Sequence, residues 1–239
     1  MTARGLPARF VVEALSVERA HLPVVREVNL VVDAGSISVL LGSNGAGKTT
    51  FLEGLSGVIP LSGGRIALGG LELHKARPGM RARAGVAHVE QGRTVFRHLT
   101  TEENLLVGAR EDAALEDAYG LFPELRQRRD VRAGLLSGGE QQMLVIARAL
   151  LCGPKVLLID EMSAGLAPIV VSRLMRTVRT LADQGLAILL VEQFAALALA
   201  IGDRAYVLRR GRIVFDGRCS ELRGDSARLH RLYLGEGSA

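Results

Sequence analysis

"GSNGAGKT", residues 42–49, is the stretch that decides the fold, because it fits the phosphate-loop pattern G-x-x-x-x-G-K-[ST]. It follows "SISVLLG" at 36–42, an apolar run rich in β-branched residues that is typical of a buried strand. After it, the apolar residues Phe51, Leu52 and Leu55 recur at helical spacing. Strand, glycine loop and helix thus follow one another directly, which is the context that the pattern requires.

The residue types of this loop suit a nucleotide with its Mg²⁺ ion. Glycines let the backbone wrap closely, so that successive N–H groups point at phosphate oxygens, and the N-terminus of the following helix adds positive potential. Lys48 is placed to neutralise the β- and γ-phosphates, and the Thr49 hydroxyl is placed to ligate Mg²⁺. The predicted nucleotide-binding residues of the loop are Gly42, Ser43, Asn44, Gly45, Ala46, Gly47, Lys48, Thr49 and Thr50.

A second motif, "VLLIDE" at 156–161, places two carboxylates at the end of another predicted strand. Asp160 is placed to hold the Mg²⁺ shell, and Glu161 can polarise the attacking water as a general base. An aspartate that ends an apolar strand can also be a helix cap. Its occurrence together with Lys48 favours the metal role over the cap.

The spacing of the apolar runs predicts the fold class. Runs at 155–160 and 187–192 are separated by a helical stretch. This alternation predicts parallel strands with crossover helices, and therefore an α/β fold with a mostly parallel sheet. The segment 205–217 predicts an antiparallel hairpin at the sheet edge, with Arg210 and Gly211 in its turn.

The middle of the chain differs, because it carries three helical patterns and no convincing strand. They are "LTTEENLLVGA", "DAALEDAYGLF" and "EQQMLVIARALL", and the last has an apolar stripe of Met143, Ile146, Ala147, Leu150 and Leu151. We interpret this region as a helical subdomain inserted into a nucleotide-binding core. The predicted domain covers 6–239, with the core at about 6–92 and 153–239 and the helical subdomain at about 93–152.

Composition argues against several other classes of protein. No run of eighteen apolar residues occurs and the N-terminal stretch lacks an apolar segment of signal-peptide length, so we expect a cytosolic chain that does not span a membrane. The two cysteines are far apart, which argues against a zinc knuckle or a disulfide framework. The net charge of +5 comes from scattered basic residues and there is no Trp, so a solvated surface is favoured over a nucleic-acid partner.

The glycine pair in "LSGGEQ", at 136–141, opens the last of the three helical patterns. Ser137 can cap that helix, but a cap alone does not explain two successive glycines. The backbone N–H groups of Gly138 and Gly139 form a second anion-binding end. This turn can therefore bind a phosphate.

Together these motifs resemble the ATP-binding cassette (ABC) ATPase family, in the family's order and over nearly the whole chain. "GSNGAGKT" is similar to its Walker A loop, "VLLIDE" to its Walker B strand and "LSGGEQ" to its signature motif. The resemblance implies that two cassettes pack head to tail around ATP and Mg²⁺, so that the signature acts on the partner's ATP. The signature residues implied are Ser137, Gly138, Gly139, Glu140 and Gln141.

Gln91, in "HVEQGRTVF", matches the family's Q-loop. The resemblance implies that Gln91 contacts Mg²⁺ and the attacking water, and that it lies where the core meets the helical insert. In this family the insert docks onto a membrane permease, so such a hinge can turn γ-phosphate binding into movement. Without the resemblance, a lone glutamine would be interpreted as a surface residue.

Some positions depart from the family pattern. Gln193 follows the strand "AILLV" where the family has its switch histidine; glutamine can donate a hydrogen bond to the γ-phosphate but cannot carry a proton. We therefore predict that hydrolysis rests mainly on Glu161. Arg19 aligns with the aromatic residue that usually stacks on adenine, so its guanidinium plane is predicted to contact the base. Met162 replaces a proline, and Ala167 replaces the aspartate of the family's D-loop.

Several stretches look together like the ATP-binding subunit of branched-chain amino acid importers, namely "VEQGRTVFRHLTTEENLLVGA", "LFPELRQRRD", "SAGLAP" and "LLVEQ". The resemblance implies a cytoplasmic, peripheral location on the inner face of the cell membrane. The implied partners are a sister ABC ATPase or a second copy, two transmembrane permeases and, indirectly, an extracytoplasmic solute-binding protein.

Other hypotheses stay open at this point. The solute is chosen by other subunits, so urea, short amides and other amino acids are alternatives. A soluble cassette ATPase that acts on ribosomes or DNA is a second hypothesis, although such relatives usually carry two cassettes or long coiled-coil insertions. A non-hydrolysing regulatory cassette is a third, suggested by Gln193 and Arg19 but opposed by Lys48, Asp160 and Glu161.

Overall fold

The computed structural model describes residues 9–109 and 115–235 of the chain. These residues form a six-stranded sheet, a four-stranded sheet and a helical insert. The strands are β1 (Phe10–Arg19), β2 (Leu22–Val32), β3 (Ile37–Leu41), β4 (Leu61–Leu68), β5 (Leu71–Glu72), β6 (Val86–Val89), β7 (Val156–Asp160), β8 (Ala187–Val191), β9 (Arg204–Arg209) and β10 (Arg212–Arg218). The helices are α1 (Lys48–Ser56), α2 (Pro78–Ala84), α3 (Thr101–Gly108), α4 (Leu115–Leu121), α5 (Pro123–Gln127), α6 (Gly138–Leu151), α7 (Pro168–Asp183), α8 (Ala195–Ile201) and α9 (Ser226–Leu234).

The six-stranded sheet has the order β10-β9-β3-β8-β7-β6, and all of its pairings are parallel except the one between β9 and β10. Strands β3, β7 and β8 are buried along their whole length. Their residues point alternately into two hydrophobic clusters: Val39 joins the cluster that includes α6 and α7, and Leu40 joins the one that includes α1. Because both faces are covered, these strands are continuous apolar runs. The predicted α/β fold with a mostly parallel sheet is confirmed.

The hairpin predicted at 205–217 forms an edge of this sheet. Its turn residues Arg210 and Gly211 have φ values of 48° and 78°, in the left-handed region that a tight two-residue hairpin turn requires. A Cβ on Gly211 would lie 2.1 Å from the Val24 carbonyl oxygen, so only glycine fits there. The turn therefore packs closely against β2.

The four-stranded sheet has the order β2-β1-β4-β5 and is antiparallel. The sequence motifs do not predict it. The register between β1 and β2 shifts between Val12 and Leu15, and Ala14 and Glu27 have positive φ values. Such bulges interrupt the period-two alternation by which a half-buried strand is recognised. The inward-facing residues of this sheet join the hydrophobic cluster around α1.

The helical insert is confirmed for the described residues, because α3 to α6 lie between β6 and β7 along the chain. In α6, the stripe residues Met143 and Ile146 are buried. The start of the helix predicted from "DAALEDAYGLF", 112–114, lies outside the described residues, as do 6–8 and 236–239 of the predicted domain. The limits of the core and of the helical subdomain stay a prediction.

The structure also bears on two points raised by the composition, namely membrane-spanning segments and the state of the two cysteines. Among the described residues, no helix is both long enough and apolar enough to cross a membrane. Cys152 is half-buried and Cys219 is buried, and both are free thiols. Burial raises the pKa of the Cys219 thiol to about 12, so this side chain behaves as a small apolar group.

Candidate nucleotide site

The parallel strands bring the predicted site residues to one edge of the six-stranded sheet. Gly42 follows β3, Asp160 ends β7, and Gln91 and Gln193 follow β6 and β8 after one intervening residue each. Parallel strands present their carboxyl ends at the same edge, so residues far apart in the sequence meet there. The topology thus assembles the site from separate motifs.

The phosphate loop wraps tightly between β3 and α1. Gly45 and Gly47 have φ values of 78° and 105°, which glycine adopts without strain. A Cβ on Gly42 would lie 2.4 Å from a carbonyl oxygen of β9, so the first glycine of the motif is required for close packing. The Gly211 amide of the hairpin turn donates to the Ala46 carbonyl at 3.0 Å and holds the loop from the other side. The loop backbone is therefore fixed by its neighbours in a shape that suits phosphate oxygens.

Lys48 is the first residue of α1, and its side chain is only 5% exposed. Its ammonium donates to the carbonyls of Gly42 at 3.0 Å and Ser43 at 3.3 Å. The same nitrogen lies 3.6 Å from a carboxylate oxygen of Glu161. The cation is thus held within the loop, between the phosphate-binding backbone and an acidic side chain.

Glu161 has a φ value of 45°, which is uncommon for a residue with a side chain. Its amide donates to the Val191 carbonyl at 2.9 Å, which ties the end of β7 to β8. Its carboxylate accepts a hydrogen bond from Nε2 of Gln91 at 2.8 Å. Strained backbone of this kind is typical of functional sites. The structure therefore brings the predicted general base and the Q-loop glutamine into contact.

Asp160 is buried, and neither of its carboxylate oxygens accepts a hydrogen bond of good geometry among the described residues, although the Thr49 hydroxyl is near enough to act on its pKa. Burial raises the pKa of this carboxyl to about 6, while Thr49 and Lys48 act in the opposite direction. A buried carboxylate without a partner is a group that a bound cation would satisfy. Together with the Thr49 hydroxyl on α1, it suits Mg²⁺, which prefers oxygen ligands.

An open cleft of about 400 Å³ lies between the phosphate loop and two residues that follow strands, Gln91 after β6 and Glu161 after β7. All of its lining residues except Val24 are predicted site residues. The predicted site residues that do not line it are Asp160, Arg19, Gln193, the signature residues, and Gly42, Ser43 and Ala46 of the phosphate loop. The lining residues are Val24, Asn44, Gly45, Gly47, Lys48, Thr49, Thr50, Gln91 and Glu161.

Arg19 ends β1 and contacts the start of α1. Its Nε donates to Oγ1 of Thr50 at 2.9 Å, and its guanidinium forms an ion pair with Glu53. About half of the side chain stays exposed. These contacts orient the guanidinium beside the phosphate loop, and its stacking on a base stays a prediction.

Gln193 is exposed between β8 and α8, whereas the residue before it, Glu192, is fully buried. The Glu192 carboxylate accepts hydrogen bonds from the Ser163 amide at 3.1 Å and the Ser163 hydroxyl at 2.6 Å. Burial raises the pKa of Glu192, and the bonds from Ser163 act against this shift. The pair ties the end of β8 to the loop that follows Glu161. Sequence reasoning missed it, although an acid that closes the apolar run "AILLVE" was an available signal.

The signature turn lies at the N-terminus of α6. Oγ of Ser137 accepts from the Glu140 amide at 3.3 Å, and the Glu140 carboxylate accepts from the Ser137 amide at 2.8 Å. Burial acts to raise the pKa of the Glu140 carboxyl. Hydrogen bonds from Ser137 and Arg128 outweigh this effect and hold that pKa below its usual value. Gln141 donates to the Ala133 carbonyl at 3.0 Å. Glu140 and Gln141 therefore stabilise the turn and leave Ser137 exposed at its tip.

Comparison with known proteins gives the family and the fold of the chain. Over residues 25–164, more than half of its length, the chain matches the ABC transporter family. It is similar to the high-affinity branched-chain amino acid transport ATP-binding protein BraG of Pseudomonas aeruginosa, with 42% identity over 208 residues, 84% of this chain and 89% of that protein. It is also similar to the probable branched-chain amino acid transport ATP-binding protein LivF of Archaeoglobus fulgidus, with 39% identity over 213 residues and shares of 84% and 89%. A solved nucleotide-free ATP-binding cassette from an ABC transporter has the same fold, with a TM-score of 0.85 at 24% identity over 96% of this chain and 100% of that chain.

Proposed function

Because the chain belongs to the ABC transporter family as an ATP-binding subunit that hydrolyses ATP, we propose that it powers an importer of branched-chain or other hydrophobic amino acids. One observation carries the catalytic part of this proposal. In the cleft of about 400 Å³, Glu161 contacts both Gln91 and Lys48 beside the phosphate loop. A base, a water-orienting amide and a phosphate-binding cation therefore face one space, as hydrolysis of a phosphoanhydride requires.

In the proposed complex, the triphosphate of ATP lies along the loop 42–49. Lys48 exchanges the two carbonyls that it contacts for the β- and γ-phosphate oxygens. Thr49, Asp160 and Gln91 would hold Mg²⁺. When bound, Mg²⁺ neutralises charge on the phosphate oxygens. The buried Asp160 oxygens, which lack partners among the described residues, support this assignment.

Glu161 acts as the general base of the hydrolysis. Its carboxylate takes a proton from the attacking water, the water oxygen bonds to the γ-phosphorus, and the bond to the β–γ bridging oxygen breaks to release ADP. Gln91 orients the water with its side-chain amide. Gln193 donates a hydrogen bond to the γ-phosphate and cannot accept the proton as a histidine would. Proton transfer therefore depends on Glu161.

Turnover requires a second cassette, which is the sister subunit or a second copy of this chain. Ser137 is exposed, and no signature residue lines the cleft of its own chain. Large apolar side chains next to the signature and at the start of α7 are exposed as well, Leu135 by 78% and Ile169 by 79%. An exposed anion-binding turn with apolar neighbours supports head-to-tail pairing, in which the turn clasps the γ-phosphate held by the opposite chain.

The permease contact is proposed for a groove of about 310 Å³ lined by parts of β6, α3 and α6. Its lining includes the apolar side chains of Phe96, Val107 and Val145, and the first two are exposed. Arg148 lies over the Phe96 ring at 4.8 Å and donates to the Thr94 carbonyl at 2.5 Å. The groove is therefore connected to the segment that carries Gln91. It suits a short helix of a membrane permease, and we infer a peripheral location on the inner face of the membrane.

The cargo part of the proposal rests on similarity to BraG and LivF, whose names refer to branched-chain amino acid transport. The cargo itself is selected by two permeases and an extracytoplasmic solute-binding protein. Short amides and urea are the competing cargoes. They lack the carboxylate, the ammonium group and the large apolar side chain of a branched-chain amino acid, so a transport assay separates them.

Two measurements test the two parts separately. In single-turnover assays with the full chain and its sister subunit, we expect ATP hydrolysis that requires Mg²⁺ and is lost in Glu161→Gln but kept in Arg83→Ala, a surface control on α2. Hydrolysis that survives Glu161→Gln would overturn the catalytic part. In proteoliposomes that hold the whole transporter, leucine-loaded solute-binding protein should stimulate hydrolysis and urea should not. The reverse result would overturn the cargo assignment and leave the ATPase assignment intact.

A further inference from the structure

Arg93 lies two residues after Gln91, in a turn of unusual backbone shape. Gly92 and Arg93 have φ values of 97° and 55°, so two successive residues lie in the left-handed region. Glycine adopts this region freely, but arginine does so rarely. The turn therefore holds Arg93 in a backbone conformation that costs free energy and that contacts elsewhere must offset. No sequence motif singled out this residue.

The Arg93 guanidinium reaches two other functional segments. Its Nη2 donates to the carbonyls of Ala164 at 2.7 Å and Gly165 at 3.3 Å, in the loop that follows Glu161. A Cβ on Gly138 would lie only 2.5 Å from Nη1, so the guanidinium also packs against the first residue of α6. One side chain from the Gln91 segment thus contacts both the signature turn and the 162–167 loop.

The hydrogen bonds from Arg93 to the 162–167 loop matter more because of the residue that ends this loop. It ends in Ala167, whose side chain cannot form a hydrogen bond. The acceptors for Arg93 are backbone carbonyls, so the link does not depend on any side chain of the loop. The planar guanidinium loses little freedom for each bond formed, and it transmits a shift of its backbone directly to its acceptors.

We propose that Arg93 is a positioning residue that couples the Gln91 turn to the signature turn and to the 162–167 loop of the same chain. This inference rests on the proposed two-cassette function. When γ-phosphate and water replace the Gln91–Glu161 hydrogen bond, the turn moves, and Arg93 moves the 162–167 loop and the start of α6 with it. Occupancy of a chain's own cleft then sets the orientation of the signature turn that it offers to the opposite cleft.

The first test compares Arg93→Ala and Arg93→Lys with the control Arg83→Ala, using full chains with the sister subunit. The readouts are kcat and KM for ATP hydrolysis, Kd for ATP on the single chain, and ATP-driven association in a Glu161→Gln background. Arg93→Ala should lower kcat about tenfold, the loss expected for one hydrogen bond from a charged donor, with Kd unchanged. Association should weaken in parallel. Arg93→Lys should recover part of the loss, because an ammonium can donate but has no planar fork.

A second test uses Gly138→Ala, whose methyl group would lie 2.5 Å from Nη1 of Arg93 and displace the guanidinium from its place against α6. If Arg93 couples the two turns, Gly138→Ala should lower kcat by a smaller factor in the Arg93→Ala background than in the wild type. Equal factors in the two backgrounds would mean that Gly138 and Arg93 act independently, which contradicts the proposal.

Each of the following results would overturn the proposed coupling by Arg93. Arg93→Ala that behaves like Arg83→Ala removes the inference but leaves the ATPase proposal intact. A loss that appears in Kd instead of kcat, or one that tracks a fall in Tm and is not relieved by lysine, shows a role in nucleotide binding or in folding and overturns the coupling. A wild-type pair that neither hydrolyses ATP nor associates with it removes the proposed function and this inference together.

Discussion

The molecule has two anion-binding ends, and they differ in what surrounds them. At the phosphate loop, α1 begins with buried Lys48, and the carboxylates of Asp160 and Glu161 lie nearby. At the signature turn, α6 begins with the same kind of glycine-rich backbone, but Ser137 is exposed and the Glu140 carboxylate caps the helix. The phosphate-loop end has acidic and basic groups that can take part in hydrolysis, whereas the signature turn has only backbone N–H groups and a hydroxyl that can bind an anion. The difference suggests that each end needs the opposite end of another cassette.

The largest expected effect lies on the phosphate-loop side. Glu161→Gln removes the base but keeps the size of the side chain, so the single-turnover rate of ATP hydrolysis should fall about 10²–10⁴-fold while ATP still binds. Rapid-quench kinetics and equilibrium binding measure the two quantities. Gln193→His is the comparison variant and should change the rate far less. If Glu161→Gln stays active, the contrast between a chemical end and a binding end is lost.

A second prediction concerns the stability of the phosphate-loop end. Burial raises the pKa of Asp160 from 3.8 in the unfolded chain to about 6 in the folded chain. Between these two values the unfolded chain has lost the proton while the folded chain keeps it. The free energy of unfolding therefore falls as pH rises from about 4 to 6. Asp160→Asn should therefore increase the free energy of unfolding by up to about 3 kcal/mol at about pH 8. It should change it little near pH 3, below both pKa values, where most chains in either state hold the proton. Urea unfolding without nucleotide or Mg²⁺ checks this, and equal stabilisation at both pH values would exclude charge burial as the cause.

Ser137→Ala probes the signature end. It should lower the turnover of the paired cassettes by about 10- to 100-fold, because a hydrogen bond to a charged phosphate is lost, and leave the ATP affinity of the single chain unchanged. It also removes a helix cap worth about 1 kcal/mol. Ser137→Asp keeps the cap but places a negative charge against the phosphate, so it should lose turnover without losing stability.

Mixing two inactive chains sharpens the same comparison. In a pair of Lys48→Ala and Ser137→Ala chains, the intact phosphate loop of the second faces the intact signature turn of the first. ATP hydrolysis should therefore reappear on mixing. If the mixture stays inactive while each chain is folded and able to associate, the two ends do not complete each other across the pair.

The smallest effect is expected from Arg19→Tyr, at the base end of the cleft. A tyrosine ring stacks on adenine more strongly than a guanidinium that is already paired with Glu53, so the ratio of ATP to GTP affinity should rise several-fold. Fluorescence titration of both nucleotides on the single chain measures it. An unchanged ratio would remove Arg19 from the base-binding residues.

The elements that could be predicted from sequence are those whose signal lies in neighbouring residues. β3, β7 and β8 are continuous apolar runs because both faces of the central sheet are covered. The helix after the phosphate loop begins and ends at Gly47 and Gly57, which both have positive φ. The antiparallel sheet escaped prediction because bulges at Ala14 and Glu27 break its alternation.

The site residues also divide into those that a local sequence pattern predicts and those that it does not. The sequence by itself determined the phosphate loop, the paired carboxylates and the capped signature turn, because each depends on a few consecutive residue types and on the local backbone they adopt. Only the tertiary structure decided that Gln91 bonds to Glu161, that Glu192 holds Ser163 and that Arg93 reaches Ala164. Those contacts join segments about 30 to 70 residues apart, and they depend on strand order and packing, which no local pattern encodes.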